Sequence, residues 1–154
     1  EIHTYMTTEK GIVKKRLPIS YFRSRSHPFI SEIYNTLYSG PGRGKNFISK
    51  DYLLGMDPLA IAIWYMDDGG LYYRKDRYGY GKEYPLLMIN TQSFSDESQK
   101  NCSDYFSDVY GIRFGIHHNR GLRLVSSDRN SVRKFVEIVS PHILPYFVYK
   151  VQLR

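Results

Sequence analysis

The stretch from Asp57 to Gly70 constrains this chain more than any other, because it sets eight non-polar or amphipathic residues between a helix-starting signal and two acids. Asp57-Pro58 opens the helix: the carboxylate accepts from the first free N–H groups, and Pro loses an N–H that would lack a partner in any case. Leu59-Ala60-Ile61-Ala62-Ile63-Trp64-Tyr65-Met66 then leaves no polar face, so the helix is predicted to be covered on nearly every side. Ala60 and Ala62 leave room for a second helix to approach. Asp67-Asp68-Gly69-Gly70 ends it. An acid at that end faces the negative pole of the helix macrodipole, at a cost of about 0.3 to 1 kcal/mol each, and a cation is expected to offset it. Hard carboxylate oxygens there suit Mg²⁺, or Mn²⁺ in its place, with water and phosphate completing the shell. An isolated Asp-Asp-Gly reads more simply as an exposed corner with Gly69 as the cap. The context favours a site, since the acids lead straight into a basic, aromatic hairpin.

That hairpin is predicted as strands over Leu71 to Arg77 and Leu86 to Gln92, joined by Tyr78-Gly79-Tyr80-Gly81. Ser95 caps a following helix with Cys102, Phe106, Val109 and Tyr110 on its buried stripe. Ile112, Phe114 and Ile116 alternate with Arg113, Gly115 and His117, the period of a half-buried strand. Asn119-Arg120-Gly121 turns back into Leu122-Arg123-Leu124-Val125, and a last long helix starts near Asp128, carries Val132, Phe135, Val136 and Val139, and stops before Pro141. Upstream, Leu17 to Ser26 reads as a strand ending in Arg23-Ser24-Arg25. His27-Pro28 opens a helix whose buried stripe is Ile30, Ile33, Tyr34 and Leu37, and Ser39-Gly40-Pro41-Gly42 stops it. Strands and helices in this order give an α+β fold of antiparallel sheet backed by helices, with the apolar helix in the core.

Lys and Arg number 22 against 15 Asp and Glu, for a net charge of +7, so a polyanion is the expected partner. No apolar run approaches the roughly 18 residues of a membrane-spanning helix, which favours nucleic acid over a bilayer. The 15 Tyr and 8 Phe often neighbour cations, as in Tyr72-Tyr73-Arg74-Lys75, and suit a sheet laid against a groove. The single Cys102 excludes an internal disulfide and a Cys-based zinc site. Gly40-Pro41-Gly42-Arg43-Gly44-Lys45 has the wrong spacing for a phosphate-binding loop. His117 and His118, adjacent on a strand, point to opposite faces and make a poor metal pair.

A faint repeat runs through the chain. Ile30, Ile33, Tyr34 and Leu37 correspond to Val132, Phe135, Val136 and Val139 at a constant offset of 102, with Arg23 and Arg123 before them and Lys45 and Lys150 after. The second copy is preceded by the apolar helix and a hairpin; the first is not.

Ile61-Ala62-Ile63-Trp64-Tyr65-Met66-Asp67-Asp68-Gly69 resembles the LAGLIDADG motif of homing endonucleases, in the branch written W-[FY]-M-D-D-G. Asn90-Thr91-Gln92-Ser93-Phe94 is similar to that branch's N-T-Q-S-F segment, and Pro145 to Lys150 to its P-x-x-x-Y-K ending. Together they cover about Lys45 to Leu153. The resemblance implies a saddle-shaped antiparallel sheet in the DNA major groove, and paired motif helices at a pseudo-twofold axis. It implies Asp68 as the metal-binding acid, Asp67 giving chiefly its backbone carbonyl, Gln92 near the catalytic water network, and Lys150 and Lys45 as the lysines of the two halves. The activity implied is metal-assisted hydrolysis of both strands of double-stranded DNA in intron or intein homing, in a mitochondrion or plastid and otherwise in the cytoplasm. Each active site in the family combines acids from two motif helices, and this chain shows one motif. Residues 1–56 are therefore expected to be the end of an incomplete first half and 57–154 a complete second half, the remainder supplied upstream or by a partner chain. DNA contacts are expected from Arg23, Arg25, Tyr72, Arg74, Lys75, Arg77, Lys82, Asn90, Arg113, His117, Arg120 and Arg123. The competing expectations are an RNA maturase, which binds intron RNA on the same fold, and a DNA-binding regulator without catalysis.

Overall fold

The computed structural model describes residues 6–9, 12–15, 25–38, 47–75, 83–118 and 121–154. The chain forms two compact units, Glu1–Ile33 and Tyr34–Arg154. The first contains an antiparallel pair, β1 (Met6–Glu9) and β2 (Ile12–Lys15), with Met6 opposite Lys15 and Glu9 opposite Ile12. Helix α1 (Pro28–Tyr38) crosses the boundary between the units.

In the second unit, the short α2 (Lys50–Leu54) leads to α3 (Pro58–Asp68), and the chain passes without a loop into β3 (Gly69–Lys75). Then follow β4 (Glu83–Asn90), α4 (Asp96–Tyr110), β5 (Gly115–His117), β6 (Arg123–Ser126) and α5 (Arg129–Val139). Two 3₁₀ stretches, Ser140–His142 and Pro145–Val151, close the chain. The sheet is antiparallel throughout, in the order β3-β4-β6-β5. The α+β architecture expected from the sequence is present, and no helix among the described residues is long and apolar enough to cross a membrane.

Helices α3, α4 and α5 start where a side chain satisfies a free N–H group. Asp57 accepts from the Ala60 N–H at 2.8 Å, Ser95 from Ser98 at 3.2 Å, and Asp128 from Ser131 at 3.0 Å. Gly111 ends α4 at φ +62°, and the Gly111 and Ile112 N–H groups return to Ser107 and Phe106. The core fills the space between helices and sheet with Ile61, Tyr65, Leu87, Ile89, Phe106, Leu124, Val132 and Phe135. Tyr65 meets Phe135 edge-on at 4.9 Å between centroids, and Trp64 stacks on Phe94 at 6.0 Å.

Three expectations are corrected. No residue of α1 is buried, and Ile30 and Tyr34 are 45% and 60% exposed. Periodicity marks a face that needs cover, and the described residues give this one only part of it, with Ile33 and Leu37 half-buried and Leu37 against the core. The corresponding α5 stripe packs under α3 and β4, and Val132, Phe135, Val136 and Val139 are all buried. Helix α3 is likewise bare on one side, with Leu59 and Ile63 at 46% and 56% exposure. On α4, Val109 is 46% exposed and Tyr105 takes its place in the core, because the buried face drifts around a 15-residue helix. Cys102 is buried as expected, and burial pushes its thiol up to about 12.

Phe135 joins Tyr65, Phe106 and Phe114, so Phe135→Ala is expected to cost about 3 to 5 kcal/mol in urea unfolding, where loss of the α3 cap in Asp57→Ala costs about 1 kcal/mol.

Candidate functional site

Asp67 and Asp68 end α3 at the point where the chain turns into the sheet. Gly69 is extended there, at φ −97° and ψ 164°, so its role is not that of a left-handed cap. What it supplies is space: a Cβ at Gly69 would lie 1.9 Å from Cδ2 of the Tyr65 ring. With helix and strand joined directly, both carboxylates stay beside the first residues of β3.

Together with Gly69, Gly70, Leu71, Tyr72, Asn90, Tyr149 and Lys150, the two acids line a cavity of about 320 Å³. Lys150 supplies the cation expected at this helix end. Its ammonium donates to the Met66 carbonyl at 2.6 Å and the Gly69 carbonyl at 2.8 Å, both from the terminal turn. Partial burial raises the Asp68 pKa above the ordinary carboxylate value, the neighbouring Asp67 charge raises it further, and Lys150 opposes both.

The sheet register settles which side chains share a face. Tyr72, Arg74, Leu86, Met88 and Asn90 alternate with residues that face the core, and Asn90 pairs with Arg123, which pairs with His117. One outer face therefore carries Tyr72, Arg74, Asn90, Arg123 and His117. Exposed Arg113 continues the alternation of Gly115 and His117 toward it. Lys75, paired with Glu83, falls on the opposite side from Arg74. On the outer face the Arg123 Nη1 reaches the Met88 sulfur at 3.6 Å, while its Nε is buried with no partner among the described residues.

Among the site residues read from sequence, the fold brings Asp67, Asp68, Tyr72, Asn90 and Lys150 together. Gln92 is exposed, does not line the cavity, and packs beside Gly121. The segment around it is a strand-to-helix corner: Thr91 is buried and bonded to Gln99, Phe94 stacks on Trp64, and Ser95 caps α4. Arg25 is exposed in the Glu1–Ile33 unit. Lys45, Arg23, Arg77, Lys82 and Arg120 lie outside the described residues. Sequence reasoning gave Tyr149, which lines the cavity, no role; its signal is that it stands as the Y of the P-x-x-x-Y-K ending.

A family model described as the LAGLIDADG DNA endonuclease family matches residues 2–135. The chain is similar to Protein RecA of Mycolicibacterium chitae, 33% identical over 135 residues that cover 82% of this chain and 30% of that protein. It is also similar to Probable intron-encoded endonuclease 1 of Wickerhamomyces canadensis, 25% identical over 107 residues, covering 69% of this chain and 45% of that protein. The chain thus spans less than half the length of both relatives. Its fold is similar to that of the homing endonuclease I-WcaI bound to its DNA recognition sequence, with a TM-score of 0.71 at 20% identity, covering 100% of this chain and 65% of that one. The expected fold is therefore present at the level of overall topology as well as class.

A group whose pKa is raised on folding holds its proton more tightly in the folded state, so its contribution to stability is full below the unfolded pKa and is lost as pH rises through the folded one. Asp68 is such a group. Asp68→Asn is accordingly expected to be more stable than the parent at neutral pH by about 0.3 to 1 kcal/mol, toward the lower end because the side chain is exposed. The difference should vanish near about pH 3, which urea unfolding at the two pH values measures.

Proposed function

The chain belongs to the LAGLIDADG DNA endonuclease family, and on that premise we propose that it is one catalytic half of a homing endonuclease that hydrolyses phosphodiester bonds of double-stranded DNA. The observation that carries this reading is the meeting of Asp67, Asp68, Asn90 and Lys150 in one polar cavity at the rim of a cation-bearing sheet face. A sheet face with Arg, Asn and His in adjacent register offers donors to base edges and phosphates together.

The acids fit a hard divalent ion as half of a site. Among the described residues no group of three or more His, Cys, Asp or Glu could hold a metal. The Asp68 carboxylate and the Asp67 carbonyl would hold Mg²⁺ or Mn²⁺ with the help of water, phosphate and an acid from a second motif helix. When bound, such an ion neutralises phosphate charge and makes its water a stronger nucleophile. Lys150, fixed to the end of α3, meets the negative charge that builds on the phosphate oxygens during attack. Asn90 orients substrate or water through its amide, and Tyr72 and Tyr149 wall the cavity. Gln92, outside that lining, is assigned to the nucleic-acid contact rather than to the reacting centre.

The bare side of α3 supports the need for a second half. Leu59 and Ile63 form the exposed ridge against which another motif helix would pack, as the division into 1–56 and 57–154 implies. The intron-encoded relative supports an intron as host.

The test is selection of bound duplexes from a random-sequence library, followed by Mg²⁺ and sequencing of cut ends. The parent chain should bind with a steep salt dependence and cut both strands poorly alone; a supplied first half should restore cleavage. Asp68→Asn should keep binding and lose cutting by at least about a hundredfold. Binding without cleavage in the completed protein would point to the non-catalytic regulator, and preference for intron RNA over duplex DNA to the maturase.

A further inference from the structure

We infer that Tyr65 is a positioning residue for Lys150, an inference that rests on the nuclease reading for its consequence but on geometry for its content. Lys150 lies in the 3₁₀ stretch Pro145–Val151, of which no residue is buried. Packing holds this segment only at its end, where half-buried Val151 meets the core, so the placement of Lys150 depends on polar anchors. The Tyr65 hydroxyl donates to the Lys150 carbonyl at 2.7 Å. The Lys150 ammonium in turn donates to Met66 and Gly69. Both ends of the lysine, its backbone and its tip, are thus fastened to the terminal turn of α3, the same turn that carries Asp67 and Asp68. Neither bond alone would do this. Without the hydroxyl the backbone can drift and the long side chain must search for its carbonyls; without the ammonium the backbone bond holds an empty arm.

The anchor is itself rigid. Tyr65 is fully buried and its ring edge rests on Phe135, while Gly69 clears the space its ring occupies. Burial, with Tyr72 and Tyr149 nearby, pushes the hydroxyl pKa upward, so the proton it donates is retained. A second tyrosine serves the end of the same segment: the Tyr73 hydroxyl accepts from the Arg154 N–H at 2.7 Å and lies 3.4 Å from the Gln152 carbonyl. That pair holds the tail without touching Lys150, and so provides an internal control.

The experiment is competitive acylation of lysine amines on the folded chain, read residue by residue by peptide mass spectrometry, for the parent, Tyr65→Phe and Tyr73→Phe. Lys150 should react slowly in the parent. In Tyr65→Phe it should react about fivefold faster, the factor of one lost neutral hydrogen bond, with Lys100 and Lys134 unchanged. An unchanged Lys150 rate in Tyr65→Phe, or an equal rise in Tyr73→Phe, would overturn the inference, the second because it shows a general loosening of the tail. If Tyr65→Phe loses its fold all three lysines accelerate, and 4-fluorophenylalanine placed at position 65, which keeps the ring's bulk but donates no proton, is expected to show the selective rise instead. In the completed nuclease, Tyr65→Phe should lower kcat with KM unchanged. Selective acylation in a protein that does not cleave would leave the anchor standing and sink only the nuclease reading.

Discussion

The contact between the Tyr65 ring and Phe135 is the joint on which the rest depends. It fixes the face of α3 that turns inward, and so decides where the helix delivers its last two residues. Because Gly69 has no side chain, the strand can begin directly over that ring, and no flexible loop intervenes between the buried helix and the sheet. A loop would let the acids swing over several ångströms. The direct junction makes their position a property of core packing, which is dense and resists small displacements.

Electrostatics then runs against stability at the same point. Two carboxylates at the negative end of a helix repel its carbonyls and each other, and the Asp68 pKa is raised first by partial burial and then by the neighbouring Asp67 charge. Lys150 relieves the carbonyls directly, through hydrogen bonds to Met66 and Gly69, and reaches Asp68 only through its field. Among the described residues the acids are therefore left without a neutralising bond of full strength, the condition under which a cation finds favourable electrostatics. Sites that sacrifice stability in this way are common where function requires a charge out of place.

What the sequence revealed and what it hid divides along the range of the interactions. The caps at Asp57, Ser95 and Asp128 were legible because each serves N–H groups within three residues of itself. The α5 stripe was legible from its period. The identical period in α1 said nothing about exposure, since cover comes from elsewhere in a fold. The faint repeat does survive: shifting Pro28–Tyr38 by 102 lands one residue from Arg129–Val139. Strand alternation puts Arg74 and Lys75, both expected to contact DNA, on opposite sides of the sheet. The N-T-Q-S-F resemblance drew attention to Gln92, whereas Thr91, Phe94 and Ser95 build the corner and Asn90 reaches the cavity. The anchoring of Lys150 was hidden for a plainer reason, because its partners lie 81 and 84 positions away.

The bare ridge of α3 connects energetics to the number of acids. Burying a Leu or Ile side chain fully is worth about 1.5 to 3 kcal/mol, so Leu59 and Ile63 forgo a sizeable part of that while they face solvent. A second helix laid along this ridge would recover it, and Ala60 would let the two backbones come close. Asp67 lies two turns beyond Leu59 and one beyond Ile63, on the same side of the helix, so a partner helix that covers the ridge also arrives at the acids. On the proposed reading the apolar face and the polar cavity ask for the same partner: a helix that covered the ridge would also bring its residues to Asp67 and Asp68, and assembly and catalysis would become a single requirement.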